Sequence, residues 1–314
     1  MKTMTEKQYI GIDISKTKLD VCAPWWATTK TFKNSPKGLQ KLFRAIKSKP
    51  ISCHLVCEAT GGYEGLLLLT AWKHDVTISR VNPRKVRHLA IAMGFLAKTD
   101  PIDAFVITEF GKMLKPKPTP EPTKTAQQLG VIVRRREFLM RQLTREKNAK
   151  EKASDTFILQ DINASIASLS KRLAHFDEAI AKLIDADEVL REKRRRMEQV
   201  TGIGPGTSRL LLAALPELGS ISDKEVSALV GLAPMNCDSG TRRGKRIIQG
   251  GRANVRRGLY MPALCAARHN PTLKAFYDRL CSAEKAHHVA LTAVMRKLIC
   301  LLNRILADPD FNPA

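Results

Sequence analysis

The chain has 314 residues, 44% of them apolar, enough to bury one large core or two modest ones. Lysine and arginine exceed the acids by 53 to 30, for a net charge of +23, far beyond the magnitude of about 2 to 8 that solubility asks of a small domain. This balance excludes an acidic binding module and points to a polyanionic partner, nucleic acid. Seven scattered cysteines with no C-x-x-C pair exclude a disulfide scaffold and fit free thiols in a reducing cytoplasm. No apolar stretch approaches the roughly 20 residues of a membrane span, and no signal peptide is read at the N-terminus, so a cytoplasmic protein without membrane contact is expected.

In chain order, Tyr9 to Ile14 reads as an apolar strand, and Leu19 to Pro24 can pair with it across Ser15-Lys16-Thr17-Lys18. Thr28 to Lys33 gives a third strand. Ser35 caps a helix whose apolar face carries Leu39, Leu42, Phe43 and Ile46. Ile51 to Glu58 is a fourth strand; its Cys53, His54 and Cys57 alternate as buried strand residues and are not read as a zinc site. A helix from Tyr63 to His74, a strand from Val76 to Val81 and helices near Arg84 to Met93 and Ile102 to Leu114 follow. A meander followed by alternating helices and strands predicts a mixed α/β sheet domain over residues 1–115.

The prolines of KPKPTPEPT, Lys115 to Thr123, forbid helix and mark a semi-rigid linker. Beyond it Ile162, Ile166, Leu169, Leu173, Phe176, Ile180 and Leu183 recur at spacings of four and three, a heptad seam. Leu129, Val133, Met140 and Leu143 form a weaker one. Residues 116–197 are expected to be linker and coiled-coil helices, in a hairpin or against another subunit. Residues 198–314 read as an all-α domain with Gly-rich interruptions and a frayed tail after Leu306.

Two sets of residues carry chemistry. Asp13 in GIDISK and Glu58 in CEATGGYE end strands, and Asp100 and Asp103 in KTDPIDA open a helix, with Asp100 as its cap. Four carboxylates brought together would repel and raise one another's pKa values, a cost that a divalent cation with hard oxygen ligands, Mg²⁺ or Mn²⁺, removes. Two such ions about 4 Å apart stabilise the attacking and leaving oxygens of a phosphodiester. Further on, Gly202, Gly204 and Gly206 of TGIGPGTS make either a phosphate-binding, helix-hairpin-helix-like turn or a plain helix–helix turn. Ser239 sits in an Asp-Ser-Gly loop among Arg242, Arg243, Lys245, Arg246 and Arg252, with Arg256 and Arg257 beyond. Guanidiniums of this kind neutralise phosphate charge, although the loop by itself reads as a turn. No Walker motif and no His/Asp partner around Ser239 is present, so neither a nucleotide cofactor nor a hydrolase triad is expected.

GIDISKTKLDV, CEATGGYE and KTDPIDA resemble the ribonuclease H-like, RuvC-like domain of the DEDD transposases of the insertion-sequence one-ten family. VTGIGPGTSRLLLAALPELG, ALVGLAPMNCDSGTRRGKRIIQGGRANVRRGLYMPALCAARHNP and VALTAVMRKLICLLNRIL resemble that family's C-terminal transposase domain. The chain departs from the family at Gly258 and Pro262, where small helix formers are usual. The resemblance implies a metal-dependent recombinase of donor and target double-stranded DNA, nucleoid-associated when active and working as a homo-oligomer, dimer or tetramer. It implies that a structured noncoding bridge RNA selects the sites, that Asp13, Glu58, Asp100 and Asp103 bind metal, and that Ser239 attacks DNA covalently, with Thr241 as the runner-up hydroxyl. It also implies a composite site drawing on the tetrad and the serine. The alternative reading is a RuvC-like structure-specific endonuclease that hydrolyses DNA with no covalent intermediate.

Overall fold

The computed structural model describes residues 7–48, 52–95, 99–236, 238–240, 244 and 246–311. Where the sequence marks three zones, the chain divides by compactness into two units, Met1–Glu121 and Pro122–Ala314.

The first unit is built on a five-stranded sheet of order β3-β2-β1-β4-β5. β1 (Gln8–Ile14), β2 (Lys18–Cys22) and β3 (Lys30–Lys33) form the antiparallel meander. β4 (Cys53–Glu58) pairs parallel to β1, and β5 (Thr77–Val81) parallel to β4. Alternation along β1 assigns its two faces. Ile10, Ile12 and Ile14 pack with Leu55 and Cys57 against α1 (Pro36–Lys47) and α2 (Gly65–Lys73). Tyr9 packs with Val56 and Val81 against α3 (Pro83–Ala92) and α4 (Asp100–Leu114). The two apolar faces of the central strand thus dictate helices on both sides of the sheet. As the sequence predicts, the Ser35 hydroxyl caps α1 by accepting from the Gly38 amide, and Pro36 follows it.

Thr99, not Asp100, is the N-cap of α4, because the Asp103 amide closes on the Thr99 carbonyl at 2.9 Å and makes Asp100 the first helical residue. The proline-rich segment, read as a semi-rigid linker, is bonded to the sheet over its first half. The Thr119 amide donates to the Ile78 carbonyl, the Thr119 hydroxyl accepts from the Arg80 amide, and the Ser79 hydroxyl reaches the Pro116 and Lys117 carbonyls. The strap covers the outer edge of β5, and its prolines add no donors of their own.

The second unit is helical. α5 (Lys124–Lys150) and α6 (Thr156–Ala186) form an antiparallel hairpin in which Leu139 and Leu143 meet Leu169 and Leu173. The buried positions on α6 are Ile162, Leu169, Leu173, Ile180 and Ile184. The predicted seam therefore slips by one residue at its end, burying Ile184 in place of Leu183. The slip brings Ile180 and Ile184, with Leu129 and Val133, into the core shared by the C-terminal helices. That shared core is why the hairpin belongs to the same compact unit. Asp177 reinforces the junction, pairing with Arg136 at 2.7 Å and Arg209 at 2.9 Å.

α7 (Glu188–Glu198), α9 (Asp223–Val230), α11 (Tyr260–His269) and α12 (Pro271–Ser282) pack on α13 (His287–Ala307), and α8 (Pro205–Ala214) and α10 (Ala253–Gly258) complete the same core. A two-stranded ribbon, β6 (Pro234–Met235) with β7 (Ile247–Ile248), was not foreseen from sequence. The departures at Gly258 and Pro262 now have a local reason. α10 ends at Gly258, where a Cβ would strike the Leu210 side chain, and Pro262 lies in the first turn of α11, where no amide donor is needed. The segment after Leu306 is docked rather than frayed as far as Phe311: the Arg196 guanidinium donates to the Asp308 and Pro309 carbonyls, and Phe311 packs on the core.

Candidate functional site

The end of β1 and the start of α4 are brought together by a missing side chain. Gly11 sits mid-strand, and a Cβ there would fall on the Ala104 carbonyl and the Thr108 amide. Its absence lets α4 lie directly on β1. The Gly11 amide donates to the Thr108 hydroxyl at 2.9 Å, and that hydroxyl is within reach of the Cys22 carbonyl at 3.1 Å and the Ala104 carbonyl at 3.0 Å. One turn further along, Gly111 takes the Tyr9 ring against its backbone. With the helix so seated, Asp13, Asp100 and Asp103 converge, and one carboxylate oxygen from each lies within 4.8 Å of the others.

Glu58 stands outside that group of three. It is the half-buried last residue of β4, one step beyond the Ile12–Cys57 pair, and so neighbours Asp13 on the adjacent parallel strand. The loop leaving it is pinned by a carboxylate the sequence reading passed over. Glu64, buried, accepts from the Thr60 amide, the Thr60 hydroxyl and the Gly62 amide, and pairs with Arg80 at 3.5 Å. Burial pushes its carboxyl up, but the loop donors outweigh that and hold it below the usual carboxylate range.

Two more charged residues belong to the centre. Asp20 is buried and sits opposite Asp13 in the β1–β2 register, with the Thr31 hydroxyl donating to it at 2.5 Å. Lys18 lies between Asp100, at 2.5 Å, and Asp20, at 3.1 Å. Their one sequence signal is the strand itself, since an aspartate in mid-strand facing a helix must find partners. Burial raises the Asp13 pKa first, and the nearby Asp103, Asp100 and Asp20 charges raise it further. The bonds to Asp100 and Asp20 raise that of Lys18.

The donor set fits a divalent ion. Carboxylate oxygens are the hard ligands that Mg²⁺ and Mn²⁺ take, and the mutual repulsion felt at Asp13 is what such an ion relieves. Three carboxylate oxygens within 4.8 Å of one another are close enough for a single ion to gather them.

The second unit places its candidates less uniformly. Gly202, at a φ of +101°, lies where a Cβ would meet the Pro262 carbonyl, so it is a packing glycine against α11. Gly204, the N-cap of α8, and Gly206 face open space. Ser239 is exposed in the loop carried by the β6–β7 ribbon, and the Asp238 carboxylate accepts from the Gly244 amide at 3.1 Å across that loop. Thr241, Arg242, Arg243 and Lys245 lie outside the described residues. Arg246 and Arg257 are exposed. Arg252 and Arg256 have other work. Arg252 makes a bidentate pair with Glu217 at 2.6 and 2.7 Å and donates to the Ala214 carbonyl. The Arg256 guanidinium donates to the carbonyls of Gly250, Val230 and Gly231. Both groups hold loops together in the free protein, because carbonyls near helix ends need donors.

No helix among the described residues is long and apolar enough to cross a membrane. Residues 10–158 match a family model of DEDD transposases of the IS110 type, and residues 194–278 match one described as "Transposase IS116/IS110/IS902 family". The chain is 29% identical over 304 residues to the pilin gene-inverting proteins of Moraxella bovis and Moraxella lacunata, covering 94% of each chain. It is 27% identical over 117 residues to an uncharacterized 43.6 kDa protein of the insertion element IS110 from Streptomyces coelicolor, covering 37% of this chain and 29% of that one. With Asp13, Asp100 and Asp103 gathered where a helix meets the central strand, and both family models matched in order along the sequence, the chain belongs to the IS110 family of transposases.

Proposed function

We propose that this protein cuts and rejoins donor and target DNA for an insertion sequence, through a carboxylate centre that holds divalent metal and a covalent serine–DNA intermediate. The observation that carries the proposal is the convergence of Asp13, Asp100 and Asp103 at the end of β1, in a chain of net charge +23. Asp13, Asp100 and Asp103, with Glu58 beside them, would hold the ion, Mg²⁺ or Mn²⁺. Bound there, it supplies positive charge against a phosphodiester's oxygens as charge develops on them. Ser239 attacks the phosphorus: its Oγ–P bond forms, one ester P–O bond breaks, the serine proton leaves to a base, and the departing oxygen is protonated. The phosphoserine keeps the ester's energy, so a second hydroxyl can reverse the step on a new partner with no nucleotide cofactor. The exposure of Ser239 on a ribbon loop supports access by a duplex. The two Moraxella relatives, named for inverting a gene, support rejoining over simple hydrolysis.

We further propose that a structured noncoding RNA selects the sites and that the protein works as a dimer or tetramer. Only 5% of the residues are aromatic, which suits backbone tracking more than base stacking, and joining two duplexes takes more than one centre. The test is denaturing electrophoresis of labelled DNA after incubation with protein, RNA and Mg²⁺. Wild type is expected to give a protein–DNA band that Ser239→Ala and Asp13→Asn both lack. A band persisting in Ser239→Ala moves the nucleophile to Thr241 or elsewhere. Cleavage by wild type with no band establishes the hydrolytic endonuclease reading instead.

A further inference from the structure

We propose that the Lys18 ammonium is the resident counter-cation of the carboxylate centre, holding Asp100 against Asp20 in the metal-free protein and giving way when a divalent ion enters. The inference rests on the metal-binding reading of Asp13, Asp100 and Asp103. Its own ground is the position of Lys18, which the transposase chemistry does not otherwise use.

Four aspartates meet around the end of β1: Asp13, its cross-strand neighbour Asp20, and Asp100 and Asp103 from the first turn of α4. Lys18 reaches two of them, Asp100 at 2.5 Å and Asp20 at 3.1 Å. Its backbone is fixed. The turn closes with the Ser15 amide donating to the Lys18 carbonyl at 2.9 Å, and the Ser15 hydroxyl bonds both the amide and the carbonyl of Lys18. Its side chain is not fixed in the same way. It is 41% exposed on a four-carbon stem, so the ammonium can swing into solvent while the strand stays in place.

The two carboxylates it joins differ. Asp20 is only 6% exposed and is held by the Thr31 hydroxyl, so it is the fixed anchor. Asp100 is 52% exposed, on a helix whose N-cap makes no side-chain bond, so it is the movable partner. Asp100 is also one of the three residues whose oxygens converge. An ammonium against that carboxylate neutralises part of the cluster when no ion is present, and repels a divalent ion that approaches it. The opposite role, in which Lys18 orients Asp100 so that metal binds better, predicts the opposite sign.

Mn²⁺ binding to the full-length protein, without DNA, separates these roles by calorimetry or by the electron paramagnetic resonance of free Mn²⁺. Lys18→Met is expected to bind Mn²⁺ more tightly than wild type, on the order of tenfold. It is also expected to melt lower than wild type in EDTA and to gain more on adding Mn²⁺. Lys18→Arg, keeping the charge, should stay near wild type in both measurements, and Lys18→Gln serves if the methionine variant does not fold. Binding by Lys18→Met that is weaker than or equal to wild type overturns the counter-cation role. If wild type and variant both fail to bind Mn²⁺, or if Asp13→Asn binds as wild type does, the metal reading itself fails and takes this inference with it.

Discussion

The amide of Gly11 and the hydroxyl of Thr108, 97 residues apart, meet at 2.9 Å and fix where α4 crosses the central strand. The contact is possible because Gly11 has no side chain, and it sets the height at which Asp100 and Asp103 reach Asp13. Gly11→Ala should push the helix off the strand and abolish strand cleavage even if the protein stays folded. Thr108→Ala leaves the buried amide short of an acceptor and should cost about 1–3 kcal/mol in urea denaturation. A Gly11→Ala variant with wild-type cleavage would show that the carboxylates do not depend on this seat.

Asp13 should make the metal-free protein sensitive to pH in a known direction. Burial and the neighbouring aspartates raise its pKa above the value of about 3.9 in an unfolded chain. The folded protein therefore holds that proton more tightly. The contribution to stability is complete below the unfolded value and is lost as pH rises through the folded one. Asp13→Asn should raise the melting temperature in EDTA at neutral pH, with a smaller gain at acidic pH, where protonation relieves the wild type as well. A gain equal at both pH values would exclude Asp13 as its source.

Arginines that look alike in sequence should separate in experiment. Arg252→Ala breaks the bidentate pair with Glu217 and should lower stability by about 1–3 kcal/mol in chemical denaturation. Arg257 is exposed, and Arg257→Ala should leave melting near wild type. If it contacts phosphate, the same variant weakens nucleic-acid binding and reduces the slope of log affinity against log salt by about one. Equal melting of the two variants would contradict the structural role of Arg252.

The hairpin offers a packing test. Leu173 is buried against Leu139 and Leu143 of the same chain, so Leu173→Ala should cost about 2–5 kcal/mol at any protein concentration. A loss that appears only on dilution would mean that the seam is completed by another subunit.

Much of this protein could be read from its sequence. Alternation in Tyr9 to Ile14, the Ser35-Pro36 start signal and the heptad spacing marked strands and helices close to where they lie, because each depends on neighbours within a few residues. Asp13, Asp100 and Asp103 stand at the ends of recognisable elements, but each alone reads as a turn or cap residue, and it was the family resemblance that joined them into one candidate site. What only the tertiary structure decided depends on residues far apart in the chain. Gly11 in mid-strand gives no local sign that a helix 97 residues later must rest on it. Lys18 and Asp20 read as ordinary turn and strand residues until α4 brings Asp100 beside them. Arg252 resembles every other basic residue near Ser239 until Glu217 is found opposite it. Local propensity and periodicity fix where elements begin and end, but whether a charge meets an acid, a phosphate or water is set by the packing of distant segments.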